Sequence, residues 1–342
     1  MSLQRQLKRI IELHETLNRA EAAQLLDMIL RGEASELELA ALLAALATRG
    51  ETPAEIAGFV DAMRAAATTL PLRDEERDLL VDTCGTGADL SGSFNISTAA
   101  ALVAAAAGAS VAKHGNRAVT SQCGSADVLE ALGIPVGLTP DEGAAALRRY
   151  RFAFLHAPSL HPAMKAVMPV RRALGVRTAF HIVGPLSNPA GARAQVMGVY
   201  APHLVLRAAE AMALLEVRHA FVVHGDTGAG GLDELSISGP SQIAEVRKST
   251  ITLNTITPEQ FGLRRAPIEA LRGGDAVTNA AILRAIFAGE GGPRRDIVLL
   301  NAAAVLVAAD LVHDLPAGLK LAAATIDNGA VTTLIAELAS GQ

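Results

Sequence analysis

The chain has no tryptophan, only 3% aromatic residues, and two cysteines, Cys84 and Cys123, among its 342 residues. So little aromatic surface excludes a base-stacking platform and an aromatic membrane belt. Two cysteines without CxxC spacing exclude a disulfide framework and a thiolate zinc site, and point to a reducing cytosol. Basic residues are also outnumbered, 30 against 35 acidic ones, for a net charge of -5. With the cations dispersed, charge-driven binding to nucleic acid or a membrane is disfavoured. The apolar runs near 99–107 and 302–309 fall far short of the ~20 residues a bilayer requires, and the first residues hold no continuous apolar signal segment. A cytoplasmic protein is expected. Half the residues are hydrophobic, enough for a sizeable, alanine-filled core, and the length suggests about two domains at ~150 residues each.

Apolar residues recur at helical spacing through the first 70 positions, as at Leu3, Leu7, Ile10 and Leu17, then Leu25, Leu26, Ile29 and Leu30, which predicts four short helices. Asn18 with Glu21, Ser35 with Glu38, and Thr52-Pro53 with Glu55 read as capped helix starts. Gly32 and Gly50 read as stops. Beyond the polar stretch 73–78 the pattern changes to short apolar segments alternating with helical ones, the mark of an α/β domain. Strands are predicted at 79–83, 110–113, 152–156, 194–200 and 219–224. Helices are predicted at 96–107, 124–132, 140–148, 203–216, 275–289, 296–312 and 327–340. The segment 161–175 is amphipathic and fits either domain.

The densest chemical signal follows the first predicted strand. The run Gly85-Thr86-Gly87-Ala88-Asp89, then Ser93, Asn95, Ile96, Ser97 and Thr98, leads into an alanine-rich helix. Strand, glycine turn and helix N-terminus make an anion-binding layout, with a structural turn as the alternative. The third-glycine position of a dinucleotide fingerprint is occupied by Leu90, and no GxxxxGK is present. Lys113-His114-Gly115-Asn116-Arg117 with the hydroxyls up to Ser125 suits a polyanion such as pyrophosphate, or else forms a solvated turn with Ser125 capping a helix. Asp233-Glu234, in a glycine-rich loop, offers two carboxylates of the kind that hold Mg²⁺ together with substrate phosphates, against the alternative of a solvated turn. Arg171 and Arg172 lie on a segment that either clamps a carboxylate substrate or presents a charged helix face.

Taken in order, the run from Gly85 to Ala100, Lys113 to Gly133, His161 to Lys165, Pro169 to Thr178, Gly184 to Ala190 and Gly231 to Ser236 resembles the anthranilate phosphoribosyltransferases of tryptophan biosynthesis. The resemblance spans nearly the whole chain. It implies an all-α N-terminal domain, residues 1–72, with part of 161–190 packed on it, that also mediates a homodimer. Residues 73–342 would form an α/β catalytic domain, in the two-domain fold shared with class II pyrimidine nucleoside phosphorylases. Carried over by position, Gly85, Ala88, Asp89, Ser93, Asn95, Ile96, Ser97, Thr98, Lys113, His114, Gly115, Asn116, Arg117, Ala118, Val119, Thr120, Ser121 and Ser125 would hold phosphoribosyl pyrophosphate. Gly85, Asn116 and Arg171 would contact anthranilate, with His114 and Pro185 lining its approach. Ser97, Asp233 and Glu234 would serve Mg²⁺, two ions per chain. No covalent nucleophile is implied, nor any nucleic-acid or membrane partner. Ala88, Gln122 and His181 stand where members commonly carry Gly, Lys and Asn. A nucleoside phosphorylase of related fold and a non-catalytic paralogue are the competing readings.

Overall fold

The computed structural model describes residues 2–87, 89–118, 122–228 and 230–341. The chain opens with α1 (Leu3–Ile11), α2 (Arg19–Leu30), α3 (Glu36–Arg49) and α4 (Pro53–Ala65). Helices α2, α3 and α4 each begin in a reciprocal capping box, at Asn18/Glu21, Ser35/Glu38 and Thr52/Glu55, so two N-terminal donors of each are satisfied locally. Gly50 ends α3 at φ +83°, a conformation that would strain any side chain-bearing residue.

A short α5 (Asp74–Asp78) leads into β1 (Leu80–Gly85), α6 (Ile96–Ala106), β2 (Ser110–Gly115), α7 (Ser125–Ala131), α8 (Pro140–Tyr150) and β3 (Phe152–His156). After α9 (Ala157–Leu160) and a 3₁₀ turn (Pro162–Ala166) come α10 (Met168–Leu174), α11 (Phe180–Leu186), β4 (Ala194–Gly198), α12 (His203–Leu214) and β5 (His219–Asp226). Then β6 (Gly231–Leu232), β7 (Ser241–Arg247) and β8 (Thr250–Ile256) precede α13 (Ala276–Phe287), α14 (Pro293–Ala308), α15 (Leu315–Asp327) and α16 (Ala330–Ser340). The sheet has the order β3-β2-β1-β4-β5-β7-β8, with β6 pairing β5 off this path. Strands β3 to β5 along that order run parallel, while β7 and β8 are antiparallel additions. The order reverses between β1 and β4, and the crevice at the carboxyl ends of such strands is where open α/β sheets bind ligands.

Alternation along the strands divides the interior. Phe221 and Val223 of β5, with Val196 of β4, face a core built with α6, α13, α14 and α16. Ala220, Val222 and Met197 face a second core. That second core includes α12, but also α2, α3, α4 and the apolar face of α10 and α11, including Val170, Phe180 and Val183. The helices of the first 65 residues therefore share one apolar interior with the sheet. The β7–β8 hairpin and helices α11 and α15 depart from the sequence-based expectations, which left 241–256, 180–186 and 315–326 without assigned elements. No helix among the described residues is long and apolar enough to cross a membrane.

Candidate active site

A cavity of about 980 Å³ opens at the carboxyl ends of β1 and β2 and is walled by the loop after β1, the N-terminus of α6, the segment 161–185 and the acidic loop after β6. Met63 of α4 also reaches it. All described residues that the sequence singled out for phosphoribosyl pyrophosphate, anthranilate or metal line this one space. Ala88, Val119, Thr120 and Ser121 lie outside the described residues.

Two glycines explain how the acidic loop comes so close. A Cβ on Gly85 would fall on the Asp233 carboxylate, and one on Gly198 would fall on the Asp233 carbonyl. Because β1 and β4 end in glycine, the loop rests directly on the sheet. There the Asp233 carboxylate accepts the Gly87 N–H (2.7 Å), the Asp233 N–H donates to Asp89 (3.2 Å), and Glu234 accepts the Ser97 N–H (3.0 Å). One donor at the start of α6 is thus already taken by a carboxylate. Asn301 of α14 fixes the loop from below, accepting the Leu235 N–H and donating to the Leu235 carbonyl (2.9 Å each).

The electrostatics follow from this crowding. Burial, together with Asp89 and Glu234, holds the Asp233 carboxyl well above the ordinary carboxylate range. Burial likewise pushes Glu234 up to about 7, against the pull of Lys113. Lys113 is fully buried; burial pushes its pKa down while neighbouring carboxylates oppose the shift. Its ammonium donates to the Thr83 carbonyl (2.6 Å) and to Ser97 Oγ (3.4 Å). Among the described residues no group of three or more His, Cys, Asp and Glu is gathered to hold a metal by protein ligands alone. Two carboxylates sharing one desolvated wall fit a Mg²⁺ ion that would take its remaining ligands from substrate and water.

Arg171, on the wall of the same cavity, is half-buried with its guanidinium over the Phe180 ring at 5.2 Å. Among the described residues no carboxylate pairs with it, and burial lowers its pKa. Arg117, in contrast, is committed to Glu130 (2.6 Å) and Asp127 (3.1 Å) of α7. Ser125 is not the cap of α7. Gly124 occupies that position, and the Ser125 hydroxyl donates to the Asn116 carbonyl (3.2 Å).

Several lining residues had no functional assignment in the sequence reading. His161 is buried with its ring 5.2 Å from that of His114, and Nε2 of each ring has no partner among the described residues. The segment 271–274 stitches onto the phosphate-type loop through the Ser93–Arg272 bridge, Phe94 N–H to the Leu271 carbonyl (3.0 Å) and Gly273 N–H to the Gly92 carbonyl (2.9 Å). The Gly273-Gly274 pair was the available signal, since a Cβ on Gly273 would strike the Phe94 backbone.

A helical bundle packed against a mixed sheet, with a cavity at the strand ends, is the architecture of the two-domain glycosyl transferase family. Residues 5–67 match the helical bundle domain of the Glycosyl transferase family, and residues 77–332 match its a/b domain. The anthranilate phosphoribosyltransferase of Chloroflexus aggregans is 52% identical over 92% of this chain and 91% of its own length. That of Symbiobacterium thermophilum is 50% identical over 92% and 90%. The crystal structure of the Thermus thermophilus enzyme superposes with a TM-score of 0.90 at 44% identity, covering 98% of each chain. The Saccharomyces cerevisiae enzyme, solved in complex with PRPP and Mg, shares the fold at a TM-score of 0.86 and 24% identity, over 99% of this chain and 98% of that one. The chain belongs to the anthranilate phosphoribosyltransferase family, pentosyl-transferring enzymes of tryptophan biosynthesis.

Proposed function

We propose that the cavity seats phosphoribosyl pyrophosphate on the loop 85–98 and the Lys113–Arg117 turn, and anthranilate against Arg171 and Asn116. The observation that carries this reading is Arg171, a desolvated guanidinium without a carboxylate partner among the described residues, facing the same cavity as Lys113 and the acidic loop. A guanidinium so placed is matched to a substrate carboxylate.

The anthranilate amine nitrogen attacks C1 of the ribose, the bond from C1 to the pyrophosphate oxygen breaks, and pyrophosphate departs with the electron pair. The amine then gives up one proton. An aromatic amine is neutral near pH 7, so the residues need not deprotonate it first. Their work is to hold the amine and C1 in line and to stabilise the charge that grows on the leaving group. Lys113 serves the pyrophosphate side, and Gly85, Ser97 and Asn95 contribute donors at its loop. Asp233, Glu234 and Ser97 would hold Mg²⁺, read as two ions, which when bound neutralises pyrophosphate. The reading extends to a homodimer formed through the helical domain, supported by the exposed Ile11, Leu13 and Leu37. The sparse cysteines favour a reducing, cytoplasmic compartment.

Loss of anthranilate fluorescence over time tests the reading. The decay is expected to require protein, phosphoribosyl pyrophosphate and Mg²⁺ together. Arg171→Ala is expected to raise KM for anthranilate on the order of 30-fold or more, the cost of removing one partner of a buried charge pair, with far less change for the sugar substrate. Equal losses for both substrates would remove Arg171 from the carboxylate site.

A further inference from the structure

Strands β1 and β2 pair only at Leu80 with Ser110 and Val81 with Val111. Yet β1 stays paired with β4 up to Gly85 opposite Gly198, and β2 with β3 up to Gly115 opposite His156. The two central strands therefore part at residue 82 while each keeps its outer neighbour. Side chains serve backbone groups along the gap. The buried Asp82 carboxylate accepts the His114 N–H (3.1 Å) on one oxygen and the Asn188 amide (2.9 Å) on the other. The same Asn188 nitrogen donates to the Ala112 carbonyl (2.8 Å). The Lys113 ammonium occupies the Thr83 carbonyl across the parting.

We propose that Asp82 and Asn188 are positioning residues for phosphoribosyl transfer, wedging β1 from β2 so that the Lys113 ammonium stands between the strand ends at the pyrophosphate. Neither residue lines the cavity, so both act on the site through Lys113. The inference rests on the reading that Lys113 serves the pyrophosphate. A continuous ladder is the ordinary way to satisfy the backbone inside a parallel sheet. Burying a carboxylate and an amide there instead costs free energy, and this chain accepts the cost at the two strands that deliver Lys113. Local rules broken in this way concentrate at functional sites.

A double-mutant cycle on the whole protein separates positioning from simple support. Lys113→Met, Asn188→Ser and their combination are assayed for Mg²⁺–phosphoribosyl pyrophosphate binding by calorimetry, well below each unfolding midpoint. Asn188→Ser is expected to weaken binding about tenfold or more, the affinity carried by one well-placed hydrogen bond to a charged group. The combined variant is expected to bind no worse than Lys113→Met alone. Additive losses, or a lowered midpoint with unchanged affinity, would overturn the proposal. Full affinity in Lys113→Met would overturn the reading of Lys113 itself and the inference with it. Asp82→Asn, which keeps the side-chain shape, repeats the cycle if Asn188→Ser does not fold, with the same outcomes deciding.

Discussion

His114, one residue before the end of β2, has a buried ring nitrogen without a partner among the described residues. Burial, reinforced by His161 and Lys113, pushes its pKa down to about 3. An unfolded histidine takes up its proton near ~6.5, so folding must keep this ring neutral against increasing acid. The sign follows from linkage: the folded pKa is depressed, so the ring's contribution is present above ~6.5 and lost as pH falls toward 3. Denaturant titrations of the wild-type chain and His114→Gln across that range are expected to show a constant stability difference above pH ~6.5. Below it the wild-type chain should lose stability relative to the variant with a slope approaching ~1.4 kcal/mol per pH unit. Parallel curves down to pH 4 would mean the imidazole protonates freely in the folded protein. At working pH the neutral ring adds no second cation beside Lys113.

At the scale of elements, the helices with capping boxes were legible because cap, Pro and Glu stand within four residues of one another, as at Thr52-Pro53-Ala54-Glu55. The loop after β1 was legible as a lining of the cavity for the same reason, its glycines and hydroxyls being contiguous. The β7–β8 hairpin was not, because its turn is made by Lys248 and Ser249 at φ +48° and +63° without any glycine, so the usual primed-turn signature is missing. The wedge at Asp82 is drawn from β1 and from Asn188, which are 106 positions apart. Only a carboxylate inside an otherwise apolar strand hinted at it. The acidic loop was visible as Asp233-Glu234, but its support from α14 was not. Asn301 is buried and makes both backbone contacts of Leu235. Asn301→Leu keeps the branched heavy-atom skeleton but leaves that N–H and C=O inside without partners, at a cost of roughly 2–4 kcal/mol. The expected outcome is a lowered denaturation midpoint together with reduced transferase activity, because the same loop carries Asp233 and Glu234. Full activity at lowered stability would show that the loop holds its shape without α14.

At the scale of the whole molecule, the division into a helical domain and an α/β domain is a division of sequence more than of packing. The second apolar core runs from Leu25, Leu43 and Phe59 through Phe180 and Val183 to Met212 and Val222. Polar ties cross at the same place. The Arg64 guanidinium of α4 donates twice to the Leu186 carbonyl at the end of α11 (3.1 and 2.8 Å). Arg19 of α2 binds Asp61 and donates to the Leu214 carbonyl at the end of α12 (2.6 Å). Met63 of α4 reaches the cavity wall, so the same helix packs the core and shapes the site. Residues 1–72 alone would expose the apolar faces that α11 and α12 now cover, and a chain of that length has little other core to retain. Scanning calorimetry of the full chain is therefore expected to give one transition whose calorimetric and van't Hoff enthalpies agree. A separately expressed fragment of residues 1–72 is expected to lack a cooperative melt. Two resolved transitions, or a fragment that melts cooperatively, would mean that the shared interior does not couple the domains.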